Sequence, residues 1–181
     1  MEIERKFTIK ELPDNLEQYA SHKISQAYLN ENPVVRIRRQ DDEYYMTYKG
    51  RGMMTREEYN LPLNKYAYEH LLTKADGNII SKTRYLIPLT NPKFAPITSS
   101  ALSEVSSALP SSNSQSASGA YPSELMIELD VFDSPFDTLI MAEIEFPDEE
   151  SANAYIPEEW FLEDVTTDKR YHNSNMVYSN L

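Results

Sequence analysis

Charged side chains recur at every second position in the first segment of this 181-residue chain. Glu2, Glu4 and Lys6 fall on one face of an extended strand, and Ile3 and Phe7 fall on the other. Lysine and arginine bind phosphate oxygens, whereas carboxylates bind hard divalent cations through oxygen. These residue types at this spacing therefore suit a site for a phosphate compound that is bound together with metal ions.

The same alternation returns in later segments, where the polar position is repeatedly a full charge rather than serine, threonine or asparagine. The basic side chains on the charged faces are Lys6, Arg36, Arg38, Lys49, Arg56, Lys82 and Arg84. The acidic ones are Glu2, Glu4, Glu58, Glu128, Asp130, Glu143 and Glu145. The bases cluster early in the chain and the acids late, so the two signs belong mostly to different strands.

Strands must position these charges, because the alternation has the period of a strand. It predicts a mainly β fold of the α+β class with covering helices. The helices are predicted at 13–21, 63–75, 134–141 and 148–155, and from about 168 onward. If the strands close into an antiparallel barrel, the charged faces point into a common lumen and the apolar faces pack outward against the helices.

A charged lumen is costly, because each unpaired buried ion costs several kcal/mol. Such a lumen is kept for function, or else its charges are heavily paired and hydrated. Two divalent cations add about four positive charges, and a triphosphate brings roughly four to five negative ones. A metal-bound triphosphate would therefore leave the lumen close to neutral.

An ordinary solvated sheet is the competing interpretation, since half-exposed antiparallel strands often carry alternating charge with cross-strand ion pairs. For any single strand it is the better interpretation. It weakens over seven strands, because solvated faces usually mix in Thr, Ser and Gln. Four charges break the alternation and are predicted to lie on the outer surface: Arg5, Arg39, Arg51 and Glu57.

The composition excludes several classes of function. Without cysteine, and with three scattered histidines, the chain is not expected to form disulfides, use thiol chemistry or bind zinc. A formal net charge of −12 argues against nucleic acid or an anionic membrane as partner. With no secretion signal and no long apolar run, the chain is expected to be cytoplasmic.

One segment, at about 95–123, is crowded with serine and nearly uncharged. Such a segment buries too little apolar surface to order itself, so a disordered insertion is expected there. The rest of the chain, within 1–181, is expected to form a single domain.

The opening segment Glu2-Ile3-Glu4-Arg5-Lys6-Phe7 resembles the N-terminal Glu-x-Glu-x-Lys signature of the CYTH family, the triphosphate tunnel metalloenzymes. The resemblance continues in order through Val35-Arg36-Ile37-Arg38, Thr47-Tyr48-Lys49, Arg56-Glu57-Glu58, Lys82-Thr83-Arg84-Tyr85, Glu128-Leu129-Asp130-Val131-Phe132, Ala142-Glu143-Ile144-Glu145-Phe146 and Val165-Thr166-Thr167-Asp168-Lys169-Arg170-Tyr171. Two positions depart from the family pattern: Asn60 stands where a glutamate is frequent, and Tyr178 where some members carry a lysine.

The resemblance implies an eight-stranded antiparallel closed β-barrel, a tunnel that hydrolyses inorganic tripolyphosphate with one or two Mg²⁺ or Mn²⁺ ions. The implied phosphate binders are Lys6, Arg36, Arg38, Lys49, Arg56, Lys82 and Arg84, and the implied metal ligands are Glu2, Glu4, Glu128, Asp130, Glu143 and Glu145. Lys6 and Glu58 are the implied catalytic residues, with Glu58 positioning water or acting as general base. Pairing of Glu58 with Arg56 or Arg38 explains the sequence equally well.

Other functions stay open on the sequence. The family also includes thiamine triphosphatases and class IV-type adenylate cyclases, which cyclise ATP and share most of the tunnel residues, although the opening Ile3-Glu4-Arg5-Lys6-Phe7 resembles the inorganic triphosphatases most closely. A noncatalytic sensor that binds polyphosphate or a nucleotide is the alternative from another class, although intact candidate metal ligands argue against it. The sequence also leaves open whether the chain forms a homodimer.

Overall fold

The computed structural model describes residues 2–50, 55–96 and 121–178, with only the backbone for Glu2, Thr55 and Arg56. The strands within these ranges are β1 (Glu2–Ile9), β2 (Ala20–Glu31), β3 (Val34–Gln40), β4 (Glu43–Lys49), β5 (Thr55–Arg56), β6 (Glu58–Leu63), β7 (Asp76–Thr90), β8 (Glu124–Phe132), β9 (Ile140–Glu145) and β10 (Phe161–Asp164). The helices are α1 (Lys65–Leu72), α2 (Glu149–Ala154) and α3 (Asn173–Met176), with 3-10 turns at Leu16–Gln18 and Lys169–Tyr171. Most of the serine-rich segment lies outside the described residues.

All ten strands belong to one antiparallel sheet, in the order β10-β1-β9-β8-β7-β2-β3-β4-β6. The short strand β5 pairs with β1 through Glu2↔Arg56 and Ile3↔Thr55. Since β5 runs into β6 with only Glu57 between them, this pairing brings the β6 end of the sheet round to β1. The sheet therefore curves back on itself.

The expected mainly β, antiparallel fold with covering helices is confirmed, but the barrel differs from the expectation in two details. The described residues form ten strands rather than eight, because β5 and β6 are separate and β10 adds an edge next to β1. The path of paired strands is open between β10 and β6, so closure depends on the two-residue pairing of β5 with β1.

Two elements differ from the local predictions. The helix predicted at 13–21 is a single 3-10 turn followed by β2, and the helix predicted at 134–141 is a turn in which the Phe136 amide donates to Asp133 and the Leu139 amide to Phe136. Strand β2 escaped prediction because both of its faces mix polar and apolar side chains. Its inward face carries Gln26 and Tyr28 beside Ile24, so no clean alternation results.

Apolar side chains fill the outer face of the sheet, where the helices cover them. Phe7, Leu129 and Ile144 pack with Ala152 of α2 and with Phe161 of β10. A second cluster on this face is formed by Ala27, Ile37 and Tyr68 of α1. A third cluster lies instead on the inward face beside α3, because its strand residues alternate in phase with Lys82, Asp130 and Glu143; its members are Tyr28, Ile80, Phe132, Phe136, Met141, Met176 and Val177. The charged faces of the strands consequently point into the space that the sheet surrounds.

Helices α1 and α2 begin at capping side chains. The Asn64 side chain accepts a hydrogen bond from the Ala67 amide, and Asp148 accepts one from the Ser151 amide, which satisfies free N–H groups at the first turns of α1 and α2. In the part of the chain that the structure describes, none of the helices is long and apolar enough to cross a membrane.

Gly77, at the start of β7, has a φ of 69°, in the left-handed region that side chains disfavour. A Cβ added there would lie 2.5 Å from the carbonyl oxygen of Val177. We expect Gly77→Ala to lower the free energy of unfolding by about 2 kcal/mol or more, measured by urea denaturation with Trp160 fluorescence. Gly50→Ala is the control, since its added Cβ meets its nearest neighbour at 3.5 Å. Equal losses in the two variants would contradict this explanation.

Candidate functional site

The sheet surrounds a cavity of about 890 Å³. The charged side chains that line it, with those of His22 and His172 omitted, are Glu4, Lys6, Arg36, Arg38, Asp42, Glu43, Lys49, Glu58, Arg84, Glu128, Glu143 and Glu145. Ten of the fourteen predicted site residues are among them, contributed by β1, β3, β4, β6, β7, β8 and β9. The alternation of charge in the sequence therefore produced a common lining, as expected.

Four carboxylates on β1, β8 and β9 form what we call the acidic wall: Glu4, Glu128, Glu143 and Glu145. Glu4 lies directly opposite Glu145 in the pairing of β1 with β9, and Glu128 lies directly opposite Glu143 in the pairing of β8 with β9. Like charges in opposed positions repel each other. The acidic wall is therefore stable only with positive charge among its carboxylates.

Lys6 supplies part of that positive charge. Its Nζ atom lies 3.1 Å from Oε1 of Glu4 and also forms an ion pair with Glu143. The Lys6 side chain is 6% exposed, so the contacts are made in a largely dehydrated setting. Burial alone would raise the pKa of Glu143, but Lys6 and Arg84 hold it well below its ordinary value. The lysine thus occupies a position where a cation bridges two carboxylates.

Arg84 of β7 extends this ion-pair network to β8, because it shares Glu143 with Lys6. Its Nε and Nη2 atoms donate to Asp130 at 2.7 and 2.6 Å, and it pairs with Glu128 and Glu143 as well. Burial alone would lower the pKa of Arg84, but Asp130 and Glu143 raise it well above its ordinary value. The charge of Arg84 is therefore neutralised within the protein.

Lys82 and Asp130 lie on the inward face of the sheet, behind the side chains that line the cavity. They form an ion pair with each other, and both side chains have 0% exposed surface. Burial lowers the pKa of Lys82 to about 8 even though Asp130 acts in the opposite direction. This pair is placed to support Arg84 rather than to contact a ligand in the cavity.

A basic wall, defined by Arg36, Arg38 and Lys49, is formed by β3 and β4. Around the sheet, four strand pairings separate β9 from β3 in either direction. One route passes through β8, β7 and β2, and the other passes through β1, β5–β6 and β4, with β5 and β6 counted as one strand. The basic wall therefore faces the acidic wall across the cavity. Lys49 forms an ion pair with Glu58 of β6 at 2.7 Å. Of the two pairings of Glu58 suggested by the sequence, the one with Arg38 is not formed within 4.0 Å among the described residues, and the side chain of Arg56 lies outside them.

Arg36 and Arg38 are held mainly by neutral side chains. Nη2 of Arg36 donates to the Thr47 hydroxyl at 3.0 Å, and Arg38 donates to Oε1 of Gln26 at 2.8 and 3.1 Å and to Tyr45 at 3.3 Å. Within the described ranges, neither guanidinium lies within 4.0 Å of a carboxylate oxygen. Both side chains are buried, so two adjacent positive charges face the cavity without being neutralised.

Arg36 shows the energetic cost of burying two positive charges next to each other. Burial and the neighbouring Arg38 charge lower the pKa of Arg36, although the guanidinium stays charged at neutral pH. Its Nε atom is buried and has no hydrogen-bond partner among the described residues. A buried donor left in this state costs free energy that an anion in the cavity would recover.

Sequence reasoning missed the neutral side chains that hold the basic wall. Gln26 and Tyr28 lie on the unpredicted strand β2, and Thr47 donates to Asn60, which donates in turn to Glu58 at 3.0 Å. The strand register would identify these residues, because Gln26 lies directly opposite Arg38 and Thr47 lies directly opposite Arg36. Such an identification needs the strand pairing, which the sequence alone does not give.

Other predicted charges lie away from the cavity or outside the description. Arg5 is on the outer face, where it binds Asp164 and the carbonyls of Ala152 and Tyr155, so it joins β1 to α2 and β10 rather than standing free in solvent. Arg39 and Glu57 are exposed. The side chains of Glu2 and Arg56, and all of Arg51, lie outside the described residues. Among the described residues, no three carboxylates or histidines are arranged as a ready metal cluster.

An antiparallel sheet that curves around a cavity with opposed acidic and basic walls is an arrangement that suits an anion bound together with cations. Residues 1–101 match the model of the CYTH domain. Over 181 residues the chain is 32% identical to the inorganic triphosphatase of Nitrosomonas europaea, covering 98% of this chain and 97% of that protein. The chain therefore belongs to the CYTH family, and the resemblance seen in the sequence is confirmed.

Solved structures agree with this assignment. The crystal structure of an inorganic triphosphatase matches with a TM-score of 0.61 at 30% identity, over 99% of this chain and 95% of that one. A conserved hypothetical protein from Pyrococcus furiosus matches with a TM-score of 0.51 at 14% identity, over 85% of this chain and 83% of that one. The second likeness is one of fold alone.

The buried network around Asp130 predicts a large effect of one substitution. Asp130→Asn leaves Lys82 and Arg84 without their shared charge partner, so we expect the free energy of unfolding to fall by about 3–5 kcal/mol. Glu128→Gln is the control, because that side chain is 40% exposed and the loss should stay below about 1 kcal/mol. Urea denaturation measures the free energy of unfolding of both variants. Comparable losses would show that burial does not determine how much these ion pairs stabilise the fold.

Proposed function

We propose that this chain hydrolyses inorganic tripolyphosphate with the help of divalent metal ions bound in the cavity. The observation that carries the proposal is the pair of opposed walls, one acidic and one basic, in one cavity of about 890 Å³. A phosphate chain that bridges the two walls through metal ions satisfies both at once. The inorganic triphosphatase relative supports the choice of substrate.

The basic wall is the proposed binding surface for the phosphate chain. Arg36 and Arg38 present charges that no carboxylate of the described residues neutralises within 4.0 Å, and guanidinium groups bind phosphate oxygens in a bidentate manner. As charge builds on the departing diphosphate, these donors stabilise it without having to reorganise.

The acidic wall is the proposed holder of one or two Mg²⁺ or Mn²⁺ ions, since enzymes of this family generally depend on divalent metal. Its donors are all carboxylate oxygens, the type that such hard cations prefer. Glu4, Glu143 and Glu145 would hold the ion, with Glu128 beside them. A bound ion supplies Lewis-acid polarisation of a phosphoryl oxygen and of a water molecule.

Lys6 has two roles in this proposal. It bridges Glu4 and Glu143, the carboxylates that would hold a divalent ion. With those carboxylates shared with an ion, the Lys6 ammonium would bind an oxygen of the phosphate chain and neutralise charge close to the reacting phosphoryl group. Metal and triphosphate are therefore expected to bind cooperatively.

Glu58 is proposed to position the attacking water or to accept its proton. It lines the cavity on β6, and Lys49 and Asn60 fix its two oxygens at 2.7 and 3.0 Å. A carboxylate held in this way is placed to accept a proton from water in the cavity. Asp130 and Lys82 are assigned a supporting role, because they hold Arg84 from behind the wall.

A phosphate-release assay tests the proposed function. Tripolyphosphate, ATP and thiamine triphosphate are each incubated with the chain in Mg²⁺ or Mn²⁺, and phosphate, diphosphate and cyclic AMP are measured. We expect turnover of tripolyphosphate to exceed that of the other two. Preferential turnover of ATP or thiamine triphosphate would reassign the substrate. Turnover of none would leave a binding protein and overturn the enzymatic proposal.

Glu4→Gln is expected to reduce metal-dependent turnover by at least about 100-fold, because it removes a carboxylate ligand while keeping the side-chain shape. Mn²⁺ binding, measured by calorimetry, should weaken in parallel, and the melting temperature should change little. Glu163→Gln is the control, since Glu163 is an exposed acid on β10 and does not line the cavity. Near-normal Mn²⁺ binding and turnover in Glu4→Gln would remove Glu4 from the ligand set.

A further inference from the structure

Gln26 is a fully buried amide at the base of the basic wall, with 0% of its surface exposed. Its Oε1 accepts hydrogen bonds from Nη2 and Nε of Arg38 at 2.8 and 3.1 Å. Its Nε2 donates to the Tyr28 hydroxyl at 3.1 Å. In the pairing of β2 with β3, Gln26 lies directly opposite Arg38, so the two strands fix the contact.

The orientation of this amide is determined by its partner. An arginine guanidinium has donors only, so the amide must turn its oxygen toward Arg38 and its nitrogen toward Tyr28. The two hydrogen bonds to Oε1 of Gln26 set the plane of the Arg38 guanidinium. The remaining nitrogen, Nη1, points away from Gln26 and donates to the Tyr45 hydroxyl. Gln26 thus controls how Arg38 is presented to the cavity.

The contrast with Arg84 shows what a neutral partner achieves. Arg84 makes the same kind of contact with Asp130 through Nε and Nη2, but there the partner is a carboxylate and the charge is neutralised. At Arg38 an amide takes the equivalent place, so the geometry is fixed while the positive charge is retained. Arg36 follows the same rule, because its side-chain partner Thr47 is also neutral.

We propose that Gln26 is a positioning residue that holds Arg38 in place while leaving its charge available to the phosphate chain. The inference rests on the proposed function, because it concerns how the basic wall binds tripolyphosphate. Neutrality at position 26 is the essential property. A carboxylate there would satisfy Arg38 inside the protein and weaken anion binding.

Gln26→Glu tests the role of neutrality, since the two side chains have the same shape. The Tyr28 hydroxyl, which accepts from Gln26, can instead donate to a carboxylate, so every hydrogen bond is retained. We expect tripolyphosphate affinity, measured by calorimetry without metal, to fall by about 10- to 100-fold, as for the loss of one charge-assisted hydrogen-bonded pair. The melting temperature should stay close to that of the unsubstituted chain.

Gln26→Met is the matched variant, because it removes the acceptor while Arg38 keeps its charge. We expect roughly a 3- to 10-fold loss of affinity and a lower melting temperature. A purely structural role predicts the opposite order for binding, with Gln26→Glu close to normal and Gln26→Met the weaker binder. Gln18→Glu, at an exposed glutamine, controls for the change in net charge.

The outcomes separate the two proposals. If the unsubstituted chain does not bind tripolyphosphate, the proposed function fails and the inference fails with it. If it binds and Gln26→Glu binds equally well, the inference is overturned while the proposed function stands. If Gln26→Glu does not fold, Gln26→Met decides, and unchanged affinity in that variant overturns the inference.

Discussion

Two walls of opposite charge face each other across the cavity, and the rest of the structure depends on keeping them apart. On the acidic wall the carboxylates lie opposite one another and are held by Lys6 and Arg84. On the basic wall Arg36 and Arg38 are held by neutral side chains. If the walls met, their charges would pair directly and the cavity would have nothing to offer a metal-bound anion.

The curved sheet keeps this separation because its strands place the two signs four pairings apart. Apolar packing works from the outside, where Phe7 and Leu129 lie under α2 and β10, and Ile37 lies under α1. Burial of these faces fixes the register, since a slip of one residue would turn every charge outward. The hydrophobic core thus stabilises an interior that is costly on its own.

The sequence predicted the parts of this site that depend on alternation alone. Glu4, Lys6 and Glu143 followed from period-2 charge, because one face of β1 and of β9 is almost wholly apolar. It could not predict that Asp130 and Lys82 lie behind the wall, since burial depth depends on how the sheet curves. Gln26 was missed for a related reason, because its role exists only through pairing with Arg38 across two strands.

A crystal structure with Mn²⁺ and imidotriphosphate, a tripolyphosphate analogue whose bridging NH groups resist hydrolysis, tests the opposed walls most directly. The account predicts anomalous manganese density among Glu4, Glu143 and Glu145, with Lys6 released from at least one of its carboxylates. It also predicts phosphate oxygens within hydrogen-bond distance of Arg36 and Arg38. Manganese and the analogue bound outside the cavity, with Lys6 still bridging Glu4 and Glu143, would contradict it.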